Sequence, residues 1–181
     1  NEMKNGIFID VGAHDGIKQN NTFYFEKNLG WNGLLITPNR ELHKECVKNR
    51  PNSLCDSRAC VSCNYELNTV SGDFWRLEGS IDCNRSKHKN KETVLCTTLT
   101  TIIDSHVDSF KQKFNKDLEK GIDFLNIDTS AMEYEIICGL DFNKYKISYI
   151  LIEILTWDYE KIRKHLEENN FELMCILSNY T

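Results

Sequence analysis

Proline is nearly absent from this chain: Pro38 and Pro51 are the only two in 181 residues. A Pro-rich linker is thereby excluded, and residues 1–181 read as a single domain. No apolar run approaches the roughly 20 residues that cross a membrane as a helix, and no secretory leader is visible. A cytoplasmic location is the expectation. A basic surplus is also missing. The 22 Lys and Arg are outnumbered by 27 Asp and Glu, for a net charge of -5, whereas nonspecific nucleic-acid binders carry the opposite balance. Nucleic acid is therefore not an expected partner. The one basic run, Asn84-Arg85-Ser86-Lys87-His88-Lys89-Asn90-Lys91, reads as a solvated loop.

Hydrophobic residues make up 40% of the chain and charged residues 27%, which suits one packed core. Eight cysteines are many for such a domain. Cys46, Cys138 and Cys175 fall in apolar patterns and read as small core residues. Cys55, Cys60, Cys63, Cys83 and Cys96 crowd the middle. Cys60-x-x-Cys63 is half of a zinc spacing that Cys83 and Cys96, or His88, would complete, but a second Cys-x-x-Cys is lacking. Disulfide bonding and free thiols are the other readings, free thiols being preferred. No metal site is expected.

The most informative stretch is Phe8-Ile9-Asp10-Val11-Gly12-Ala13-His14-Asp15-Gly16. An apolar run ends in an acid, two glycines bracket a turn, and a helical pattern follows. Gly12 admits backbone angles and close approaches that a side chain forbids, and the next helix offers free N–H groups. It is neither a Walker A loop, since no Gly-Lys-Ser/Thr follows, nor Gly-x-Gly-x-x-Gly, since position 14 is His.

Periodicity places strands at 7–11, 33–36 and 53–55 with helices at 21–29 and 40–48 between them. Segments 65–70 and 74–77 read as antiparallel hairpin strands, and 82–92 as an exposed loop. A helix at 99–114, a strand at 122–127 ending at Asp128, a helix at 132–139, a strand at 147–155, a helix at 158–169 and a strand at 171–177 complete the pattern. The expected fold is α/β: a doubly wound, mostly parallel sheet of about six strands with a mid-chain hairpin insertion. The pattern stops where another strand would follow, so a last strand or an N-terminal region is expected to be missing.

Taken together in order and spacing, several segments resemble the FkbM-type S-adenosylmethionine-dependent methyltransferases. They are the 8–16 stretch above, Asn21-Thr22-Phe23-Tyr24-Phe25-Glu26, Leu29-Gly30-Trp31-Asn32-Gly33-Leu34-Leu35-Ile36, Pro38-Asn39, Asn49-Arg50-Pro51-Asn52, Ala59-Cys60-Val61-Ser62 and Thr98-Leu99. Ile122-Asp123-Phe124-Leu125-Asn126-Ile127-Asp128-Thr129, Glu133-Tyr134-Glu135-Ile136 and Ile152-Glu153 complete the set. The resemblance implies a class I, Rossmann-like fold and O-methylation of a sugar, glycan or other small hydroxyl compound. It implies cofactor contacts from Asp10, Gly12, Ala13, His14, Asp15 and Gly16 in the first turn, Thr37 and Asn39 after the second strand, and Ser57 and Arg58 after the third. Asp128, Glu133 and Glu153 would orient or deprotonate the acceptor.

Two positions depart from the family pattern. Thr37 stands where the family usually has Glu, giving up a charge-assisted grip on the cofactor ribose. The family's Asp-x-Glu-Gly-x-Glu reads Asp128-Thr129-Ser130-Ala131-Met132-Glu133. Both changes touch the same expected pocket, so a scaffold that has lost catalysis and serves binding or assembly is the rival expectation. Each site residue also has a plainer role. Strand-end acids such as Asp10 and Asp128 often cap turns, and Glu133 suits a first helical turn by charge alone. Glu153 is harder to explain this way, because a lone carboxylate inside an apolar strand needs a partner or a crevice. Trp75, Trp157 and Tyr159 are candidates for stacking, although packing is the commoner fate of such rings. Asn20-Asn21-Thr22 and Asn84-Arg85-Ser86 match the short glycosylation pattern.

Overall fold

The computed structural model describes residues 2–64, 68–72, 74, 92–129, 132–154 and 158–177. Apolar runs flanked by turn residues become the strands β1 (Ile7–Val11), β2 (Asn32–Ile36), β3 (Leu54–Asp56), β7 (Ile122–Ile127) and β8 (Ile147–Ile152). These pair in parallel in the order β3-β2-β1-β7-β8. The first crossovers run through α1 (Phe23–Leu29) and α2 (Arg40–Asn49), and the later ones through α3 (Leu99–Phe114) and α4 (Glu133–Cys138). The helix α5 (Tyr159–Glu168) follows β8.

The central strands β1 and β2 are buried on both faces, and their alternation divides the core. Ile7, Ile9 and Val11 of β1 join Leu99, Ile102, Ile103 and Phe110 of α3 on one face. Phe8 points the other way, into Leu29, Trp31, Leu35 and Cys46 beneath α1 and α2. Gly33 stands opposite Phe8 in register, and a methyl group there would meet the Phe8 ring at 2.0 Å. That close approach explains a glycine inside a central strand.

A smaller sheet is built from β4 (Ala59–Cys60), β5 (Thr69–Gly72) and β6 (Glu92–Thr97), in the order β4-β6-β5. Here the structure corrects the expected hairpin. The antiparallel partner of 69–72 is 92–97, a segment not read as a strand. Its burial alternates from Glu92 to Leu95, but the partly buried Glu92 and the exposed Leu95 break the simple apolar-in, polar-out pattern. Residues 65–67 and 75–77 of the expected hairpin lie outside the described residues, as do most of the 82–92 loop, Cys83, the 84–91 basic run, Trp75 and Trp157.

The sixth strand is a second correction. Residues 171–177 form no strand, and Met174 and Leu177 are 77% and 75% exposed. Apolar composition alone does not make a strand; a partner edge must accept its hydrogen bonds. Among the described residues β8 pairs with β7 alone. The same segment leaves Cys175 exposed rather than in the core. Cys138 is half-buried, and Cys46 is in the core as expected.

Candidate functional site

A broad cleft of about 1710 Å³ runs from the carboxyl ends of β1, β2 and β7 along β8 to α5 and residues 171–177. This is where parallel α/β sheets collect ligands, at the point where the strand order reverses. Gly12, His14, Thr37, Asp128 and Glu153 line it. The other residues singled out from sequence stand just behind it or to one side.

The turn after β1 is held by two devices. Gly12 has φ +94°, and a Cβ there would lie 1.8 Å from the Asp128 carbonyl oxygen, so no other residue fits between β1 and β7. The Asp15 carboxylate accepts the backbone N–H groups of Ile17 and Lys18 at 2.9 and 2.8 Å, folding the chain back toward α1. Slight burial would raise Asp15, but those two hydrogen bonds hold it below the ordinary carboxylate range. Between them His14 is forced to φ +52°, an uncommon conformation for a side chain that is not Gly, Asn or Asp. Its Nδ1 is buried without a hydrogen-bond partner, 3.6 Å from Asp15 Oδ1. A strained, unsatisfied imidazole on the cleft wall fits a site that receives a polar ligand.

Asp10 is fully buried at the end of β1, and both its oxygens are taken. Oδ1 accepts from Asn126 Nδ2 at 2.8 Å; Oδ2 accepts from Asn20 Nδ2 at 2.8 Å and Thr22 Oγ1 at 2.7 Å. Arg50 extends this network from below. Its guanidinium is 0% exposed and pairs through Nε with Glu26 at 2.8 Å. Nη1 donates to the Gly16 carbonyl and Asn20 Oδ1, and Nη2 to the Thr22 carbonyl and hydroxyl. Glu26 also accepts from Ser53 Oγ. Ala13 is buried against α2, and Gly16 packs on Arg50 and Cys46. Thus Asp10, Ala13 and Gly16 shape the turn from inside. Asn20, which begins a glycosylation-like triplet, commits its amide to this interior.

At the tip of β2, Thr37 is 3% exposed, and its backbone N–H donates to the Asp56 carbonyl. Asn39 caps α2, accepting from Glu41 and Leu42 N–H, and donates to Glu92 at 2.6 Å. Beyond β3, Asp56 binds Arg58 through both oxygens and His106 at 2.8 Å. Burial would raise Asp56, but these hydrogen bonds outweigh it and hold the carboxyl well below the carboxylate range. Arg58 is thereby tied to α3, which it also reaches through Ser105. Ser57 is exposed.

On the far side, Asp128 follows β7 and Glu153 follows β8. The parallel register that sets Ile127 beside Ile152 brings the two carboxyls together. Asp128 is pushed up to about 8, first by burial, then by its hydrogen bond to Glu153 and the charges of Glu153, Asp10 and Glu133. Glu133, in the first turn of α4, is 2% exposed and accepts from Thr129 Oγ1 at 3.2 Å. Ser130 and Ala131 lie outside the described residues. Among the described residues no His, Cys, Asp and Glu group has metal-ligating geometry, so the zinc reading of Cys60-x-x-Cys63 finds no support there. No described helix is long and apolar enough to cross a membrane.

Several residues went unread in the sequence. Asn126, Asn20 and Thr22 saturate Asp10, while Lys18, Gln19, Asn21 and the Phe25 and Phe124 rings line the cleft. Asn126 had a signal: a polar residue inside an apolar strand needs a buried partner. The register of β1 with β7 supplies it by placing Asn126 beside Asp10.

A comparison with protein families matches residues 10–173 to the methyltransferase FkbM domain. Searches of curated proteins and of solved structures return no significant match. The match begins at Asp10, covers the turn, β7 and α5, and agrees with the five-stranded parallel sheet and the cleft at its carboxyl rim. The chain belongs to the FkbM methyltransferase family.

Proposed function

We propose that the protein is an S-adenosylmethionine-dependent O-methyltransferase acting on a sugar or another small hydroxyl compound. The observation that carries this reading is the cleft where the Gly12 turn, the tip of β2 and the paired acids of β7 and β8 meet. Three features suit a small polar adenosine ligand: a turn that only glycine permits, an unsatisfied His14 Nδ1, and a partly apolar wall including Phe25 and Phe124. Gly12 and His14 would hold its amino-acid end, with Thr37 beside its ribose. When bound, the cofactor supplies a methyl group already activated by a sulfonium.

The chain's own task is then to orient the acceptor and manage one proton. Asp128 and Glu153 face the cleft and cannot both ionise freely at close range. With one proton between them, the pair offers a hydrogen-bond donor and an acceptor to a substrate hydroxyl. A carboxyl pushed up to about 8 holds its proton near neutral pH and is the hydrogen-bond donor of the pair. Glu133, behind Thr129, supports this edge of the site from α4.

Thr37 favours a second reading, a methyltransferase scaffold retained for binding or assembly. Thr37 itself supplies no carboxylate, Asn39 is spent on capping, and the acid beside it, Glu92, reaches in from β6 and is bound to the Asn39 amide. Calorimetric titration with S-adenosylhomocysteine separates the two: micromolar binding supports the enzyme, and no binding at millimolar ligand supports the scaffold. Under the scaffold reading, Thr37→Glu restores about 1.5–3 kcal/mol of binding, the scale of a hydrogen bond to a charged group.

A further inference from the structure

We propose that Cys46 and Cys55 form a thiol–disulfide exchange site beneath the cofactor turn, which takes a small disulfide of the glutathione class. Cys46 lies on α2 and Cys55 on β3, and their sulfurs are 3.6 Å apart, one thiol hydrogen-bonded to the other. Both are free thiols, and among the described residues no other two sulfurs make such a contact. A rotation of either side chain brings them toward bonding distance, since adjacent elements already hold them face to face.

The two thiols are not equivalent. Cys46 is 0% exposed, whereas Cys55 is only partly buried. The hydrogen bond shared with Cys46, with the positive charges of Arg50 and Lys113, lowers Cys55 despite its burial and the nearby Glu26 carboxylate. The same hydrogen bond and deeper burial raise Cys46. Cys55 is thus the attacking thiolate and Cys46 the resolving thiol. Cys55 Sγ attacks one sulfur of glutathione disulfide and releases one glutathione thiolate, leaving a mixed disulfide. Cys46 Sγ, giving its proton to that thiolate, then attacks Cys55 Sγ and releases the second glutathione. The two protein thiols are oxidised by two electrons, and one glutathione disulfide is reduced to two thiols.

The Cys46 sulfur also supports the turn. A Cβ built on Gly16 would sit 3.0 Å from it, and Arg50, one helical turn further along α2, holds the Gly16 carbonyl at 2.9 Å. Drawing Cys46 toward β3 therefore disturbs the floor under Gly12–Gly16. The chemistry of the pair is independent of the proposed methyl transfer; only the functional meaning of a disturbed turn rests on that reading.

The test is incubation of the full chain in glutathione disulfide, followed by peptide mapping and amide hydrogen exchange. The expected product is a Cys46–Cys55 crosslink, two hydrogens lighter than the dithiol. Cys46→Ser should instead accumulate glutathione on Cys55. Residues 13–18 should exchange several-fold faster in the oxidised chain and remain unchanged in treated Cys55→Ser. If Cys46→Ser does not fold, the order of iodoacetamide labelling in the native chain decides, with Cys55 expected before Cys60 and Cys96. A chain that oxidises elsewhere, or in which Cys55 labels last, overturns the exchange site. A crosslink with unchanged exchange at 13–18 overturns the coupling to the turn. None of these readouts needs an adenosyl ligand, so failure of the cofactor titration leaves them standing.

Discussion

Asp10 and Asp128 end neighbouring strands on the same rim, yet their surroundings are opposite. Asp10 receives three hydrogen bonds and stands beside a network anchored by the buried Arg50. Asp128 faces other carboxyls and is pushed up to about 8. A carboxylate with its lone pairs filled organises its neighbours and has little left for a ligand. A carboxyl held among like charges retains a proton and a reason to exchange it. The rim thus divides into a built half under the Gly12 turn and a reactive half at the ends of β7 and β8.

The comparison breaks most severely at Arg50. Arg50→Met leaves Glu26 buried without its cation and frees the Gly16 and Thr22 carbonyls from their donor. Removing one partner of a buried pair costs about 3–5 kcal/mol, and urea unfolding should show a loss of that size. Adding Glu26→Gln should recover part of it, because the stranded charge is removed. A single mutant as stable as the wild type would show that the guanidinium does not organise the turn.

A smaller effect is expected at Asp10. Asp10→Asn keeps the shape but turns an NH2 toward one of the donors Asn126, Asn20 or Thr22. A buried donor facing a donor costs about 1–3 kcal/mol. The thermal unfolding temperature should fall accordingly. Were Asp10 instead a direct ligand contact with little structural role, stability would be unchanged and only S-adenosylhomocysteine affinity would drop.

The built half was the more legible as fold and the less legible as site. Ile7–Val11, Arg40 as the start of α2, Leu99–Phe114 and Ile122–Ile127 announce themselves because their periodicity matches the burial they obtain. Residues 171–177 have equally apolar chemistry and form no strand, because pairing belongs to an edge elsewhere in the chain. The six residues 92–97 were unread for the converse reason: a mixed pattern becomes a strand where β4 and β5 stand on either side. At the site, sequence located Asp10, Gly12, Thr37 and Asp128 at strand ends and put Glu153 inside a strand, whereas β8 ends at Ile152, just before it. It did not tell a satisfied carboxylate from a frustrated one, because the deciding partners, Asn126 for Asp10 and Glu153 for Asp128, are set by register between distant strands.

The pH dependence of stability sharpens the comparison most. In the unfolded chain Asp128 releases its proton near 3.8; in the folded chain it keeps it until about 8. Between those values the folded state holds more protons, so raising the pH favours unfolding. The contribution of Asp128 to stability is fully present below the lower value and is lost as pH rises through the upper one. Asp128→Asn removes that titration. Its stability should fall less steeply than the wild type from about pH 5 to about pH 8, by up to about 1.4 kcal/mol per pH unit, reduced by solvent screening of this partly exposed carboxyl. Glu153→Gln should flatten the slope too, since Glu153 is the nearest charge holding the proton in place. Parallel pH–stability curves for wild type and Asp128→Asn would mean that no proton is shared at the ends of β7 and β8, and the reactive half of the rim would lose its distinction from the built one.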